Sequence, residues 1–194
     1  MFNWFAFLSY AFITGITPGP NNIMCMTNGA RYGLKKSLPF NFGVLTGLAA
    51  VMLLSVLFCS AVGAWIPRIK IYMYLLGAAY MLYLAWGLWR DDGQISEGET
   101  QNGYMAGALL QLVNAKLYLY YIVSMEAYIL PFYQEQTFIV LLFGLGLVLF
   151  AALSNMLWLV FGTAFRKFLS RYARWVNKAM ALMLVYCAVS LFMS

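Results

Sequence analysis

Residues 14–22 read Thr-Gly-Ile-Thr-Pro-Gly-Pro-Asn-Asn and lie in the middle of the apolar segment that opens the chain. Pro18 and Pro20 have no backbone N–H, and each proline disfavours helical geometry at the residue before it. A regular helix cannot continue through this stretch, so the freed carbonyls need partners within apolar surroundings. We predict that one helix ends near Thr17 and that a second half-helix begins near Asn21, with Pro20 in its first turn. The alternative is a simple kink that packs against neighbouring helices.

The composition around this stretch is that of an integral membrane protein. Of 194 residues, 64% are hydrophobic and only 9% are charged, and the mean hydropathy is +0.78. Soluble domains carry about 25% charged residues, which they need to cover a water-facing surface. The chain also has too few clustered basic residues for a nucleic-acid-binding protein, so we predict no nucleic-acid partner.

Cofactor and metal chemistry finds little support in the residue types. The chain has no histidine, which excludes catalysis or metal ligation by imidazole. Cys25, Cys59 and Cys187 lie in apolar runs without a Cys-x-x-Cys pair, so we interpret them as small buried apolar side chains. We therefore predict no metal site and no cofactor.

Six apolar stretches are long enough to cross a bilayer, which takes about 20 residues. They are approximately Phe5–Asn28, Ser37–Ala64, Ile69–Trp89, Tyr104–Leu130, Phe138–Phe165 and Trp175–Met193. The first lacks a basic leader and a cleavage site, so we interpret it as a retained span rather than a signal peptide. The loops are short, and the chain is therefore predicted to be an all-α membrane protein with a single transmembrane domain over residues 1–194.

The basic residues of the loops predict how the chain is oriented. Loops one, three and five together carry nine Lys and Arg residues, whereas loop two carries two and loop four none. Cytoplasmic loops are enriched in Lys and Arg. The odd-numbered loops should therefore be cytoplasmic, and both termini should lie outside, in the periplasm of a Gram-negative cell.

The two halves of the chain have the same organisation. Residues 1–90 and 103–194 each contain three spans, and an acidic linker at about 90–102 joins them. Because three is an odd number, the second half would be inverted relative to the first. Helix four, at Gln111–Lys116, is the candidate for a second break that corresponds to the one in helix one. Inverted repeats with discontinuous helices mark the binding site in many secondary transporters.

Polar residues within the spans are the candidates for a site. Lys116 lies about halfway along span four, where a charge costs several kcal/mol in lipid, so it should face the interior unless it snorkels to the inner surface. Asn114 could share a cavity with Lys116 only if the helix loosens there. Asn155 either bonds across helices or lines the path. Glu126 is a proton site, an amine ligand or an exposed residue at headgroup level, the last being preferred.

The last basic loop has a helical pattern. Lys167, Arg171, Arg174 and Lys178 recur at the spacing of one helix face, and aromatic residues occupy the opposite face. This pattern predicts an amphipathic helix over 165–178 that lies on the inner membrane surface, with its cations toward anionic lipids. The alternative is ordinary enrichment in basic residues without fixed structure. The oligomeric state is open, and a homodimer is compatible with the sequence.

The chain resembles the LysE/RhtB family of amino-acid exporters over nearly its whole length. The segments that carry the resemblance are Thr17–Asn22, Ala30–Gly33, Gly77–Trp86, Gln111–Lys116, Asn155 with Trp158, and Leu184–Val189. The last three are most similar to the branch that exports cysteine and O-acetylserine. Most members have Asn-Pro-Lys in span four, where this chain reads Asn114-Ala115-Lys116. The resemblance implies export of small neutral amino acids across the bacterial inner membrane, driven by protons or membrane potential, by a transporter that is not an enzyme.

We expect the substrate site to lie between the break in span one and the middle of span four. The half-helix end at Asn21 and Asn22 and the ammonium of Lys116 would hold a carboxylate. Asn114, Asn155 and the unwound carbonyls around Thr17 would hold the substrate's ammonium. The candidate site residues are Thr17, Pro18, Gly19, Pro20, Asn21, Asn22, Asn114, Lys116 and Asn155. The competing hypotheses are a membrane enzyme or redox carrier and a structural subunit that does not transport.

Overall fold

The computed structural model describes residues 2–62, 66–90 and 103–190. The predicted acidic linker lies outside these residues except at its first position. The α-helices are α1 (Trp4–Ile16), α2 (Pro20–Val62), α3 (Ile66–Arg90), α4 (Tyr104–Leu112), α5 (Ala115–Val123), α6 (Leu130–Tyr133), α7 (Thr137–Ala164), α8 (Arg166–Arg171) and α9 (Ala173–Ser190). A π-helical segment, Ser124–Ile129, joins α5 to α6. The predicted all-helical fold class is confirmed for the described residues.

The predicted break in the first apolar segment is present. Helix α1 ends at Ile16 and α2 begins at Pro20, so the residues between them are not helical. The N–H of Ile23 donates to the Gly19 carbonyl at 2.9 Å, which closes the first turn of α2. Asn22 Nδ2 donates to the Thr17 carbonyl at 3.1 Å. A freed carbonyl thus obtains its partner from an asparagine that follows the break, as the sequence predicts.

The boundary predicted between spans one and two coincides with a sharp kink at Gly33. The helical residues from Pro20 to Val62 form two helices that meet at this kink, where Gly33, with φ 76° and ψ 173°, leaves helical geometry. This conformation suits glycine because it has no Cβ. Ser37 Oγ donates to the Gly33 carbonyl at 2.9 Å, so the backbone at the kink keeps a partner. The chain changes direction at one residue rather than over several.

The fourth apolar segment is broken as well, although it has no proline at the break. Helices α4 and α5 are bent by 59° where they meet. Asn114 is in an extended conformation, and its carbonyl accepts from the N–H of Leu117 at 2.9 Å, so Asn114 caps the second piece. This confirms the second break expected between Gln111 and Lys116. Glu126 lies in the π-helical segment and is exposed.

Helix α2 is the centre of the bundle, and glycines bring its neighbours close. A Cβ on Gly29 or Gly162 would clash with backbone of the other helix of the α2–α7 pair. A Cβ on Gly43 or Gly107 would do the same between α2 and α4. Close backbone approach through small residues is typical of helices that pack in a membrane. Helix α3 packs mainly against α9, beside this core.

Two described helices are long and apolar enough to cross a membrane by themselves, Pro20–Leu57 and Thr137–Ala164, and the bent pair that begins at Tyr104 would form a third span. Leu145, Leu149 and Leu153 recur every four residues along one face of α7, and all three are exposed. A continuous exposed apolar stripe of this kind fits contact with lipid rather than with water.

The amphipathic helix predicted over residues 165–178 is wrong as a single element. Helix α8 ends at Arg171 and α9 begins at Ala173, with a turn at Tyr172 between them. The Tyr172 N–H still donates to the Phe168 carbonyl at 3.2 Å, and the Tyr172 carbonyl accepts from the N–H groups of Trp175 and Val176, both at 2.9 Å. Tyr172 therefore ends one helix and begins the next.

Candidate functional site

The two helix breaks lie against each other, and Lys116 joins them. Its Nζ donates to the Thr17 carbonyl at 2.7 Å. The side chain passes directly over Gly19, where a Cβ would lie 3.1 Å from Lys116 Cδ and 3.2 Å from its Nζ. Lys116 therefore does not snorkel to the inner surface, and its ammonium lies beside the unwound part of the first segment.

A chain of side-chain amides connects the same two segments. Asn21 Nδ2 donates to Gln111 Oε1 at 2.6 Å, and Asn114 Nδ2 donates to Asn21 Oδ1 at 3.0 Å. Gln111 Nε2 in turn donates to the Gly107 carbonyl at 3.1 Å. All three amide side chains are buried. Uncharged polar groups at this depth are stable only when they are hydrogen-bonded, and here they bond to one another across the two breaks.

A cavity of about 40 Å³ lies at this junction. It has room for a few water molecules, at about 10–15 Å³ for each, but not for an amino acid. Its lining includes seven of the nine predicted site residues, Gly19, Pro20, Asn21, Asn22, Asn114, Lys116 and Asn155. The remaining lining residues are Thr14, Gly15, Leu48, Leu117, Tyr120 and Ala151. Thr17 is not among them, but its carbonyl holds Lys116; Lys116 is the one charged side chain of the lining.

Three buried polar atoms of this lining have no hydrogen-bond partner among the described residues. Two are the acceptors Asn114 Oδ1 and Asn155 Oδ1, on side chains that are 4% and 2% exposed, and the third is the hydroxyl of Tyr120. An unsatisfied buried polar group costs about 1–3 kcal/mol. The two amide oxygens therefore favour a donor in the cavity, which water or the ammonium of a substrate can provide.

The start of α2 offers the opposite polarity. The N–H groups of Asn21 and Asn22 belong to the first turn and have no partner within the helix. The helix dipole adds partial positive charge at this end. Together with the ammonium of Lys116, these groups make one side of the cavity attractive to an anion.

Three residues at the site were not predicted from the sequence. Gln111 holds Asn21, Ser154 Oγ donates to the Gly15 carbonyl at 3.0 Å, and Cys187 Sγ lies 3.6 Å from the Pro18 carbonyl. Gln111 and Ser154 are polar residues in apolar spans, which is a signal that could have found them. Cys187 gives no such signal, because a cysteine in an apolar helix is usually a packing residue.

Comparison with known proteins agrees with this architecture. The LysE type translocator family matches residues 12–194. A cysteine/O-acetylserine efflux protein of Klebsiella pneumoniae is 33% identical over 189 residues, covering 95% of this chain and 94% of that protein. Those of Salmonella typhimurium and Escherichia coli O1:K1 are 32% and 31% identical, each covering 96% of both chains. No solved structure matches the chain significantly.

The chain belongs to the LysE type translocator family. It is therefore a transporter rather than an enzyme, and a multi-pass protein of the bacterial inner membrane. The family named from the sequence motifs is confirmed, as is the likeness to cysteine/O-acetylserine efflux proteins.

Proposed function

We propose that this protein is a secondary transporter that exports cysteine, O-acetylserine and similar small neutral amino acids from the cytoplasm. The observation that carries this proposal is the meeting of two helix breaks around a half-buried lysine, Lys116. One side of the resulting cavity attracts an anion and the other offers two free acceptors. A zwitterionic amino acid has the matching pair of charges, and the names of the relatives point to the same substrates.

In this proposal the six spans form two inverted repeats. The first repeat has α1 with the start of α2 as span one, the rest of α2 as span two, and α3. The second has α4–α6, α7 and α9. Phe7 contacts Phe143 and Phe12 contacts Phe150, so span one runs parallel to α7. By contrast, Asn41 contacts Met156 and Gly144 faces Met52, so span two runs antiparallel to α7.

Spans one and four cross in opposite directions, as the repeats require. Tyr10 contacts Tyr128, and the more distal Asn21 contacts Gln111, so residue numbers rise along one span as they fall along the other. The last spans of the two repeats are also antiparallel, because Lys178 packs on Trp89. These directions support the alternation of the six spans, and the Lys and Arg counts of the loops place both termini outside the cell in this proposal.

The substrate's two charged groups would bind on opposite sides of the cavity. Its carboxylate would replace the Thr17 carbonyl as the partner of Lys116 and would accept from the N–H groups of Asn21 and Asn22. Its ammonium would donate to Asn114 Oδ1, Asn155 Oδ1 and the Thr17 carbonyl that Lys116 releases. The ammonium of Lys116 thus lies beside the Thr17 carbonyl, where the substrate's ammonium would bind once Lys116 has turned to the substrate's carboxylate.

Transport also requires the cavity to enlarge and to open on each side in turn. Toward the predicted outer side, Tyr10 stacks on Tyr120 at 6.4 Å and on Tyr128 at 5.6 Å between ring centroids. These rings close the path between spans one and four. Rocking of one repeat against the other would separate them and release the substrate outside, driven by the proton gradient or the membrane potential.

The basic segment at 165–178 would orient the protein in the membrane. Arg166, Lys167, Arg171 and Arg174 are exposed, as are Trp175 and Phe168. We propose that these residues contact anionic lipid headgroups on the cytoplasmic side. Lys178 contributes less, because its ammonium lies over the rings of Trp89 and Trp175, at 5.4 and 5.8 Å from their centroids.

The purified chain, reconstituted alone in liposomes, tests the proposed function. Liposomes are loaded with one labelled amino acid at a time, and the pH gradient and the membrane potential are imposed separately. We expect efflux of cysteine and O-acetylserine but not of lysine or glutamate, faster under one of the two gradients. Absence of flux with every amino acid would favour a subunit without transport activity of its own.

A further inference from the structure

Gln111 is a polar residue whose burial is explained neither by a charged partner nor by a contact with the proposed substrate. Its side chain is 0% exposed, in the last turn of α4 before the second break. It does not line the cavity. Nevertheless, both ends of its amide are used, since Nε2 donates to the Gly107 carbonyl and Oε1 accepts from Asn21.

The Gly107 carbonyl determines the direction of every bond in this chain of amides. A carbonyl can only accept, so the amide nitrogen of Gln111 must face it and the oxygen must face Asn21. Asn21 therefore donates with Nδ2, and its own oxygen accepts from Asn114 Nδ2. The nitrogen of Asn114 is thereby engaged, and its Oδ1 is left as a buried acceptor on the cavity lining.

Packing holds Gln111 in this position. A Cβ added to Gly47 of α2 would lie 2.5 Å from Gln111 Cγ and 2.8 Å from its Cβ. The side chain thus occupies space that exists only because residue 47 is a glycine. A displaced Gln111 would lose its contact with Asn21, and the direction of the remaining bonds would no longer be fixed.

We propose that Gln111 is a positioning residue that makes the site select substrates with a free ammonium group. It acts through Asn21 on Asn114, whose oxygen it keeps facing the substrate. Without Gln111, Asn21 and Asn114 can both rotate their amides by half a turn, and the cavity then presents an N–H donor that repels an ammonium. This inference rests on the proposed function, because it assigns the ammonium of the substrate to Asn114.

The test compares two ligands that differ only in the amine. Cysteine carries the ammonium, and 3-mercaptopropionate has the same carboxylate and thiol without it. Reconstituted wild type and Gln111→Met are assayed for cysteine transport and for its inhibition by 3-mercaptopropionate. Methionine keeps the length of glutamine but has no amide. We expect the preference for cysteine, expressed as the ratio of the two affinities, to fall at least about tenfold in the variant, since a hydrogen bond to a charged group is lost.

Gly47→Ala provides a second route to the same state, with Gly146→Ala as its control. The alanine at position 47 would push Gln111 away and would also lie 2.9 Å from the Ala108 carbonyl oxygen, whereas a Cβ on Gly146 meets no atom within 4 Å. We expect the ratio to fall in Gly47→Ala and to stay unchanged in Gly146→Ala. If Gln111→Met does not insert into the membrane, Gly47→Ala decides the question in its place.

An unchanged ratio would overturn the inference, even where both affinities fall, because a purely structural role weakens the two ligands equally. A ratio that falls while the carboxylate analogue binds as in wild type would support it. Failure of the proposed function has a different signature. In that case the wild-type protein itself would transport no cysteine.

Discussion

At the scale of the single residue, Lys116 matters most for the proposed binding of a substrate carboxylate. It is the one charged side chain on the cavity lining, and its ammonium bonds to a backbone carbonyl rather than to an acid. A positive charge without a countercharge in apolar surroundings costs free energy unless a ligand supplies the negative partner. A substrate carboxylate would stabilise the lysine, and the lysine would stabilise the bound substrate.

Replacement of Lys116 with Met should strongly reduce export while leaving the amount of protein in the membrane normal. Hydrogen bonds to charged groups contribute about 1.5–3 kcal/mol, so we expect transport to fall by about ten- to a hundredfold. Uptake of labelled cysteine into inside-out vesicles measures the effect. Lys35→Met removes an exposed charge from α2 and is the matched control. Unchanged uptake in Lys116→Met would contradict the role of Lys116 in carboxylate binding.

The sequence predicted Lys116, Asn21 and Asn114 as candidate site residues but not Gln111, which is hydrogen-bonded to Asn21. Lys116 is recognisable because a charge in an apolar span is costly wherever its partners lie. The importance of Gln111 depends on Asn21, which is 90 positions away in the chain. Only the crossing of the two segments brings these amides together, and no local pattern contains that information.

At the scale of the element, the break in span one follows from local chemistry. Pro18 and Pro20 remove two donors and restrict the residues before them, so the break could be predicted from residues 14–22 alone. The second break, at Asn114, has no proline and was predicted only by analogy between the halves. The boundary predicted between spans one and two lies at Gly33, where a single glycine outside helical geometry turns the chain, so the connection is shorter than the predicted loop.

Restoring helical propensity at the first break should inactivate the transporter. We expect Pro18→Ala combined with Pro20→Ala to favour a continuous helix, which withdraws the Thr17 carbonyl and the first N–H groups of α2 from the cavity. Transport should fall at least about tenfold in the inside-out vesicle assay, because both charged ends of the substrate lose partners. Pro39→Ala alters a proline of α2 that is exposed and lies outside the cavity lining, and it should transport normally. Full activity of the double variant would mean that transport does not depend on the break.

The second break should accept a proline at position 115. Ala115 is the first residue of α5, where a backbone N–H has no partner within the helix, and Asn114 is already extended, as a residue before proline prefers. We therefore expect Ala115→Pro to keep transport within about threefold of wild type. Tyr118→Pro is the contrasting variant, because the Tyr118 N–H donates to the Asn114 carbonyl. Equal loss of transport in both variants would show that α5 does not begin at Ala115.

At the scale of the whole molecule, the composition predicted an integral membrane protein. The Lys and Arg counts of the loops predicted its orientation in the membrane, and this stays a prediction. The apolar runs also predicted most helix ends to within a few residues. For example, α7 (Thr137–Ala164) differs from the fifth predicted span (Phe138–Phe165) by one residue at each end. The segment over 165–178 could not be predicted as two helices. Its basic and aromatic periodicity continues through Tyr172, where the backbone nevertheless starts a new helix.

A transporter of this design should work without its thiols. Cys25 is buried and not in a disulfide, and the thiol of Cys187 contacts the Pro18 carbonyl at 3.6 Å, a weak interaction. We expect the combined change of Cys25, Cys59 and Cys187 to Ala to keep cysteine flux in liposomes within about threefold of wild type, with or without a reducing agent. A redox-linked carrier would lose its activity in this variant, so that outcome would favour the competing class.

In the proposed mechanism, the bond between Lys116 and the Thr17 carbonyl would impose a concentration threshold on export. An incoming amino acid would have to displace this bond before its own groups could bind, so the Thr17 carbonyl would compete with the substrate's carboxylate for Lys116. A charge-assisted bond of about 1.5–3 kcal/mol raises the cytoplasmic concentration needed for half-maximal export by about ten- to a hundredfold. Such a protein would leave in the cytoplasm the amino acid that biosynthesis requires and would export only the excess.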